Sequence, residues 1–211
     1  IRALMDGASP GVLPKTARVV HFHLSGPISE QPYEEVPSLF RPAGLSLKGL
    51  IDRLDYARED DSVKAVVLTV EMPLLGFAQI EELWTSLRAL DQAGKPVYAH
   101  AADLDTTGYA LLSSATSLNI VPTDTIWLLG LQLQNLYLAD MLEKIGVQAE
   151  VLHVGDYKAA GEMLSNTGPS DDASANMEWL LGGLYDTLVE LIAEGRGLKP
   201  EAVRALIDNG P

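Results

Sequence analysis

Cysteine is absent from the 211 residues. That excludes disulfide scaffolds, thiolate-bound zinc, iron–sulfur clusters and a cysteine nucleophile. It leaves the compartment open, because a thiol-free chain suits oxidising and reducing surroundings alike. Cations are scarce: 15 Lys and Arg stand against 29 Asp and Glu, a formal net charge of −14. Such a surface repels phosphate backbones, so no nucleic-acid partner is expected. Long apolar runs are missing too. The region richest in apolar residues, 126–141, is broken by Gln132, Gln134, Asn135 and Asp140. It falls short of the roughly 18 consecutive apolar residues that a membrane-spanning helix needs. The first residues lack the apolar core of a signal peptide. Neither a Walker loop nor G-x-G-x-x-G occurs, so nothing supports a nucleotide cofactor.

What is present is an ordinary globular composition, 47% hydrophobic and 21% charged. The 18 glycines and 12 prolines supply turns but follow no collagen period. A chain that opens on Ile1 and stops just past a helical pattern is expected to be a piece of something longer or a processed product.

Hydrophobic patterning orders the chain. Residues 18–24 (RVVHFHL) are β-branched and aromatic and end at the turn cluster Ser25-Gly26-Pro27, which predicts a strand. Residues 27–44 read as loop. Ser46 can cap a helix carrying Leu47, Leu50, Ile51, Leu54 and Ala57. Residues 63–70 (VKAVVLTV) form the continuous apolar run of a strand covered on both faces. Residues 77–93 place Ile80, Leu83, Trp84, Leu87 and Leu90 on one helical stripe, and Gly94 stops it before a strand at 96–99. A short helix is expected over 109–115, short strands over 118–121 and 126–129, a helix over 133–145 and a strand over 147–154. Only helix is expected beyond: a short one over 159–164, a long one over 173–193, and a last one opened by Pro200. This order favours an α/β layer with mostly parallel pairing.

Four constellations could carry chemistry. Gly7-Ala8-Ser9-Pro10-Gly11 spells a nucleophile-elbow pattern but lacks the strand before and helix after that the elbow requires, so a linker explains it better. His21 and His23 face one side of a strand, yet only His100, His153 and carboxylates remain as further ligands. Ordinary strand histidines account for them, and no metal is expected. Asp171-Asp172 precedes a helix, where the positive helix end favours carboxylates. Lys158 follows the strand that ends at Gly155 and is flanked by small residues. In a partly dry pocket its amine would lose affinity for the proton and could act as a base. On spacing alone, a surface lysine fits as well.

Gly155-Asp156-Tyr157-Lys158-Ala159-Ala160 resembles the G-x-Y-K-[SA] segment of the signal peptide peptidase A (protease IV) family. Lys64-Ala65-Val66-Val67-Leu68, Ala93-Gly94-Lys95-Pro96-Val97, Lys144-Ile145-Gly146-Val147 and Glu194-Gly195-Arg196 are similar to further segments of that family, in the same order. The resemblance implies a ClpP/crotonase-like α/β fold, with a mostly parallel sheet, flanking helices and a C-terminal helical extension. It divides the chain into a flexible amino end (1–17), the α/β domain (18–165) and the extension (166–211). It also implies serine peptidase chemistry by a Ser–Lys dyad without cofactor or metal, with Lys158 as the general base.

Two departures stand beside it. Where the family has an S-P-G-G-like turn that shapes the oxyanion hole, this chain has Leu74 and Leu75 before Gly76. Where the family has its nucleophile, Asp105-Thr106-Thr107-Gly108-Tyr109 puts Thr106. Lysine kept, serine and glycine turn lost: this resembles the amino-terminal half of the long, two-half members, in which the other half of another subunit supplies the serine. The expected partners are peptide substrates, namely signal peptides, together with other subunits of a homo-oligomer and the missing half. The expected location is the outer face of a bacterial inner membrane, with membrane association only through segments absent here. The alternatives are a non-catalytic crotonase-like scaffold or oligomerisation domain, in which Lys158 is a leftover or pairs with Asp156 or Glu162, and a complete enzyme using Thr106 with Lys158 or an acyl-CoA-binding crotonase relative.

Overall fold

The computed structural model describes residues 16–30 and 46–209. The Gly7 to Gly11 letters, nearly all of the expected amino-terminal segment and most of the expected 27–44 loop lie outside them. The chain divides into two compact units, Ile1–Trp127 and Leu128–Pro211.

The first unit is built on parallel strands β1 (Arg18–Pro27), β2 (Val63–Leu74), β3 (Val97–Ala102) and β5 (Ser117–Ile120), in the order β1-β2-β3-β5. Their register sets His23 beside Thr69 and Thr69 beside His100. One sheet face is buried: Phe22, Leu24, Val66, Leu68, Val70, Val97, Ala99 and Ala101. Helix α1 (Leu47–Glu59) starts as the sequence predicts, with Ser46 Oγ accepting the Gly49 N–H at 3.1 Å. It buries Leu47, Leu50, Leu54 and Ala57. Helix α2 (Phe77–Gln92) buries the whole stripe of Ile80, Leu83, Trp84, Leu87 and Leu90. Each such fully buried leucine contributes roughly 1.5–3 kcal/mol.

The Ala93-Gly94-Lys95 turn has a physical reason. Gly94 adopts φ +76°, which a side chain disfavours. Lys95 Nζ then donates to the carbonyls of Ala57 and Asp60, each at 2.8 Å, so one ammonium satisfies the open end of α1. Helix α3 (Thr106–Leu112) follows, and the buried Ser113 beyond it accepts the Trp84 indole N–H at 3.0 Å. A second, small sheet pairs β4 (Leu104–Asp105) with β6 (Ile126–Trp127), again in parallel.

The second unit contains α4 (Ala139–Lys144), α5 (Glu162–Ser165), α6 (Asp171–Arg196) and α7 (Pro200–Asn209). Ser170 caps α6, Asp171 and Asp172 fill its first turn, and Gly197 ends it at φ +63°. Leu188, Val189, Ile192 and Ala193 form its buried stripe. Arg204 of α7 binds Asp186 at 2.8 Å and lies over the Tyr185 ring, fastening the last helix to α6.

Two expectations fail here. The helix expected over 133–145 is confined to Ala139–Lys144, and residues 147–154 join no strand ladder. Leu152 and Val154 are 92% and 88% exposed. Apolar content gives a segment a preference for extended backbone, but a strand exists only where a neighbour takes its hydrogen bonds. Among the described residues, no helix is long and apolar enough to cross a membrane.

Candidate functional site

In the first unit the chain opens a cavity of about 210 Å³ at the carboxyl ends of β2 and β3. Val70, Leu74, Leu75, Ile80, Leu104 and Trp127 give it apolar walls, and Asp103, Asp105 and Thr107 add polar groups. Leu74 and Trp127 stay 70% and 57% exposed, so its lips are greasy and open. Asp103 holds φ +46°, a left-handed backbone unusual outside glycine, although aspartate tolerates it better than most residues. Asp105 closes the α3 start: its Oδ1 accepts the Gly108 N–H and the Thr107 hydroxyl, each at 2.7 Å.

Thr106 does not line this cavity. It is 6% exposed, and its hydroxyl donates to the Trp127 carbonyl at 3.3 Å. Leu74 is still a strand residue, in register with Pro27 of β1. Gly76 caps α2, and its N–H donates to Gln79 Oε1 at 3.0 Å. Gln79 in turn donates to the Ile28 carbonyl at 3.2 Å and to Glu30 at 2.7 Å, so the amide that closes on Gly76 is anchored from both ends. At an oxyanion site a backbone N–H must point at the reacting oxygen. The Gly76 N–H points at a side chain instead.

Lys158 lies in the second unit, on an exposed turn. Its own N–H closes the turn on the Gly155 carbonyl at 3.3 Å. Gly155 has φ +97°, which a side chain disfavours, and this explains the first letter of the lysine motif. Among the described residues nothing pairs with the Lys158 ammonium. Glu162, the expected alternative partner, is committed elsewhere: its carboxylate accepts the Ser170 hydroxyl at 2.6 Å and the Ser170 N–H at 2.9 Å. These bonds, the hydroxyl's first, hold its carboxyl below the usual carboxylate range. A cavity of about 310 Å³ begins next to the lysine, with Ala159, Ala160, Met163 and Met177 in its wall.

The histidines have ordinary partners. His21 Nε2 meets Thr69 Oγ1 at 2.9 Å, and His23 Nε2 meets Glu71 at 3.3 Å, both on the outer sheet face. No cluster of three or more metal-ligating side chains exists among the described residues.

The parallel sheet, its packed helices and the site at the strands' carboxyl ends define a ClpP/crotonase-like α/β protein. Residues 89–210 match the family profile described as "Peptidase family S49". That is more than half of the chain, and the chain belongs to this family. It is 28% identical to "Protease 4" of Haemophilus influenzae over 168 residues, covering 77% of this chain and 26% of that protein. It is 27% identical to "Serine protease SPPA, chloroplastic" of Arabidopsis thaliana over 192 residues, covering 91% of this chain and 28% of that protein. "Protease 4" of Salmonella typhi is 26% identical over 170 residues, 77% of this chain and 27% of its own length. The chain thus spans about a quarter of the length of these curated relatives.

Sequence reasoning missed Asp103, Trp127 and Gln79. Asp103 has no motif; only the backbone reveals it. Trp127 reaches the cavity through the two-residue β4–β6 pairing, too short to leave a periodic trace. Gln79 does leave one, being a glutamine three residues after a helix cap.

Proposed function

We propose that this chain is the lysine-donating half of a serine peptidase that works by a Ser–Lys dyad, with Lys158 as general base and the serine supplied by the missing half. The observation that carries the reading is a contrast. The lysine motif is intact on an exposed turn, its ammonium without a partner among the described residues, while the Thr106 hydroxyl and the Gly76 N–H are both engaged by neighbouring residues. Membership of peptidase family S49 supports the reaction class.

In such a dyad the neutral Lys158 amine takes the proton of the serine hydroxyl as the serine oxygen bonds to the scissile carbonyl carbon. The negative oxygen rests on backbone N–H groups. When the carbon–nitrogen bond breaks, the Lys158 ammonium returns its proton to the leaving amine. Water then attacks the acyl-enzyme, with Lys158 again the base, and restores the serine. A lysine works this way only where surroundings drier than an exposed turn keep it neutral, which assembly with the other half would provide. The substrates this reading names are cleaved signal peptides and exported proteins, at the outer face of a bacterial inner membrane. The working form is a homo-oligomer.

The test is peptide hydrolysis by the full-length parent protein carrying Lys158→Ala. Loss of about a hundredfold or more in kcat is expected for removal of a general base. Mixing this variant with a parent that lacks the serine should restore activity if the dyad is shared between subunits. Unchanged hydrolysis by Lys158→Ala would return the lysine to the solvated surface and make the chain a scaffold.

A further inference from the structure

The cavity of the first unit is not idle. Both residues that a working S49-type site would need there are otherwise engaged, Thr106 on Trp127 and Gly76 on Gln79. Yet the fold keeps an open, apolar hollow of about 210 Å³ at the carboxyl ends of two parallel strands. That is where open α/β sheets hold their ligands. Leu74 and Trp127 form its lip, exposed by 70% and 57%. Large apolar side chains that exposed, placed around a hollow, offer an apolar partner a contact surface.

The charge on this hollow is of one sign. Asp103 and Asp105 are its ionisable lining groups, and none of the lining residues is cationic. Asp105 Oδ1 is shared between Thr107 and Gly108. Asp103 lines the cavity, is exposed and has no partner among the described residues.

We propose that this hollow is a non-cleaving peptide-binding site. It takes an apolar side chain between Leu74 and Trp127 and a neighbouring lysine or arginine on Asp103. Its occupant is therefore a peptide segment in which an apolar residue stands next to a basic one. Calling the occupant a peptide rests on the function proposed above; the pairing of greasy wall and lone carboxylate does not.

The experiment uses the full-length parent carrying Lys158→Ala and fluorescent peptides with photo-leucine, one having lysine beside it and one glutamine. Binding is read by anisotropy, and the attachment point by mass spectrometry. Cross-links are expected on segments containing Leu74, Asp103 or Trp127. Asp103→Asn should weaken the lysine peptide about fivefold and leave the glutamine peptide unchanged. Asp103→Gly, which removes the charge and suits the positive φ, should do the same without loss of melting temperature. Lysine-peptide affinity unchanged by both substitutions, or cross-links confined to other segments, would overturn the proposal. Because nothing is hydrolysed, this outcome is separate from that of the Lys158 test. A parent that still cleaves with Lys158→Ala would refute the dyad, and the binding comparison is then read with the same peptides N-methylated along the backbone so that they stay intact.

Discussion

Val151 lies against the α-carbon of Gly161 so closely that a Cβ added there would collide with Val151 Cγ1. The contact joins the two ends of the segment that carries Lys158. A side chain at 161 must push the valine away, and with it the turn between them. Gly161→Ala is therefore expected to cost about 1–3 kcal/mol of local stability, as overpacking does. In the parent it should lower kcat while leaving the far strands of the first unit intact. Val151→Ala in the same chain removes the obstructing methyls and should recover most of the loss. Hydrogen exchange across residues 150–165 together with hydrolysis rates checks both steps; absence of recovery would mean that the contact does not position the lysine.

Thr106 offers a second measurement. Its buried hydroxyl donates to the Trp127 carbonyl, which ties the start of α3 to β6. Thr106→Val keeps the shape and removes the donor, so stability should fall by about 1 kcal/mol. Hydrolysis by the parent should be unchanged. If the valine variant were stable and inactive, the hydroxyl would be the nucleophile and the shared-dyad reading would fail.

Glu162 makes the third. Ser170 binds its ionised carboxylate, through the hydroxyl first and the N–H second, so folding favours the charged form and its carboxyl sits below the usual carboxylate range. A group with a lowered folded-state value adds stability that is complete above the unfolded value and is lost as pH falls through the folded one. Melting temperatures of the parent and of Glu162→Gln should therefore differ at neutral pH and converge in acid, below the ordinary carboxylate range. A difference that stayed constant into acid would show that the glutamate acts by packing alone.

Much of the first unit could be read directly. The apolar run of β2, the five-residue stripe of α2 and the Ser46 cap of α1 are local patterns, and each recurs in the fold. Helix α3 starts at Thr106, three residues before the Tyr109 that the sequence pattern predicts. Asp105, a good capping residue whose carboxylate takes the Gly108 N–H, was the available signal. Lys95 shows a motif residue whose reason became plain only with the carbonyls of Ala57 and Asp60 beside it.

By itself the sequence determined the kinds of chemistry open to this protein. The absence of thiols, the excess of acid and the Gly155 to Ala160 motif are properties of composition and order, and no folding changes them. It determined as well which faces of α1 and α2 turn inward, because a helix repeats every 3.6 residues and its apolar stripe can go nowhere else. Tertiary structure alone decided what each polar group does. The Thr106 hydroxyl, the Gly76 N–H and the Glu162 carboxylate are engaged by Trp127, Gln79 and Ser170. It alone also left Asp103 facing an apolar hollow. Hydrogen bonds form between neighbours in space, and which neighbours those are depends on strand register and loop geometry rather than on spacing along the chain.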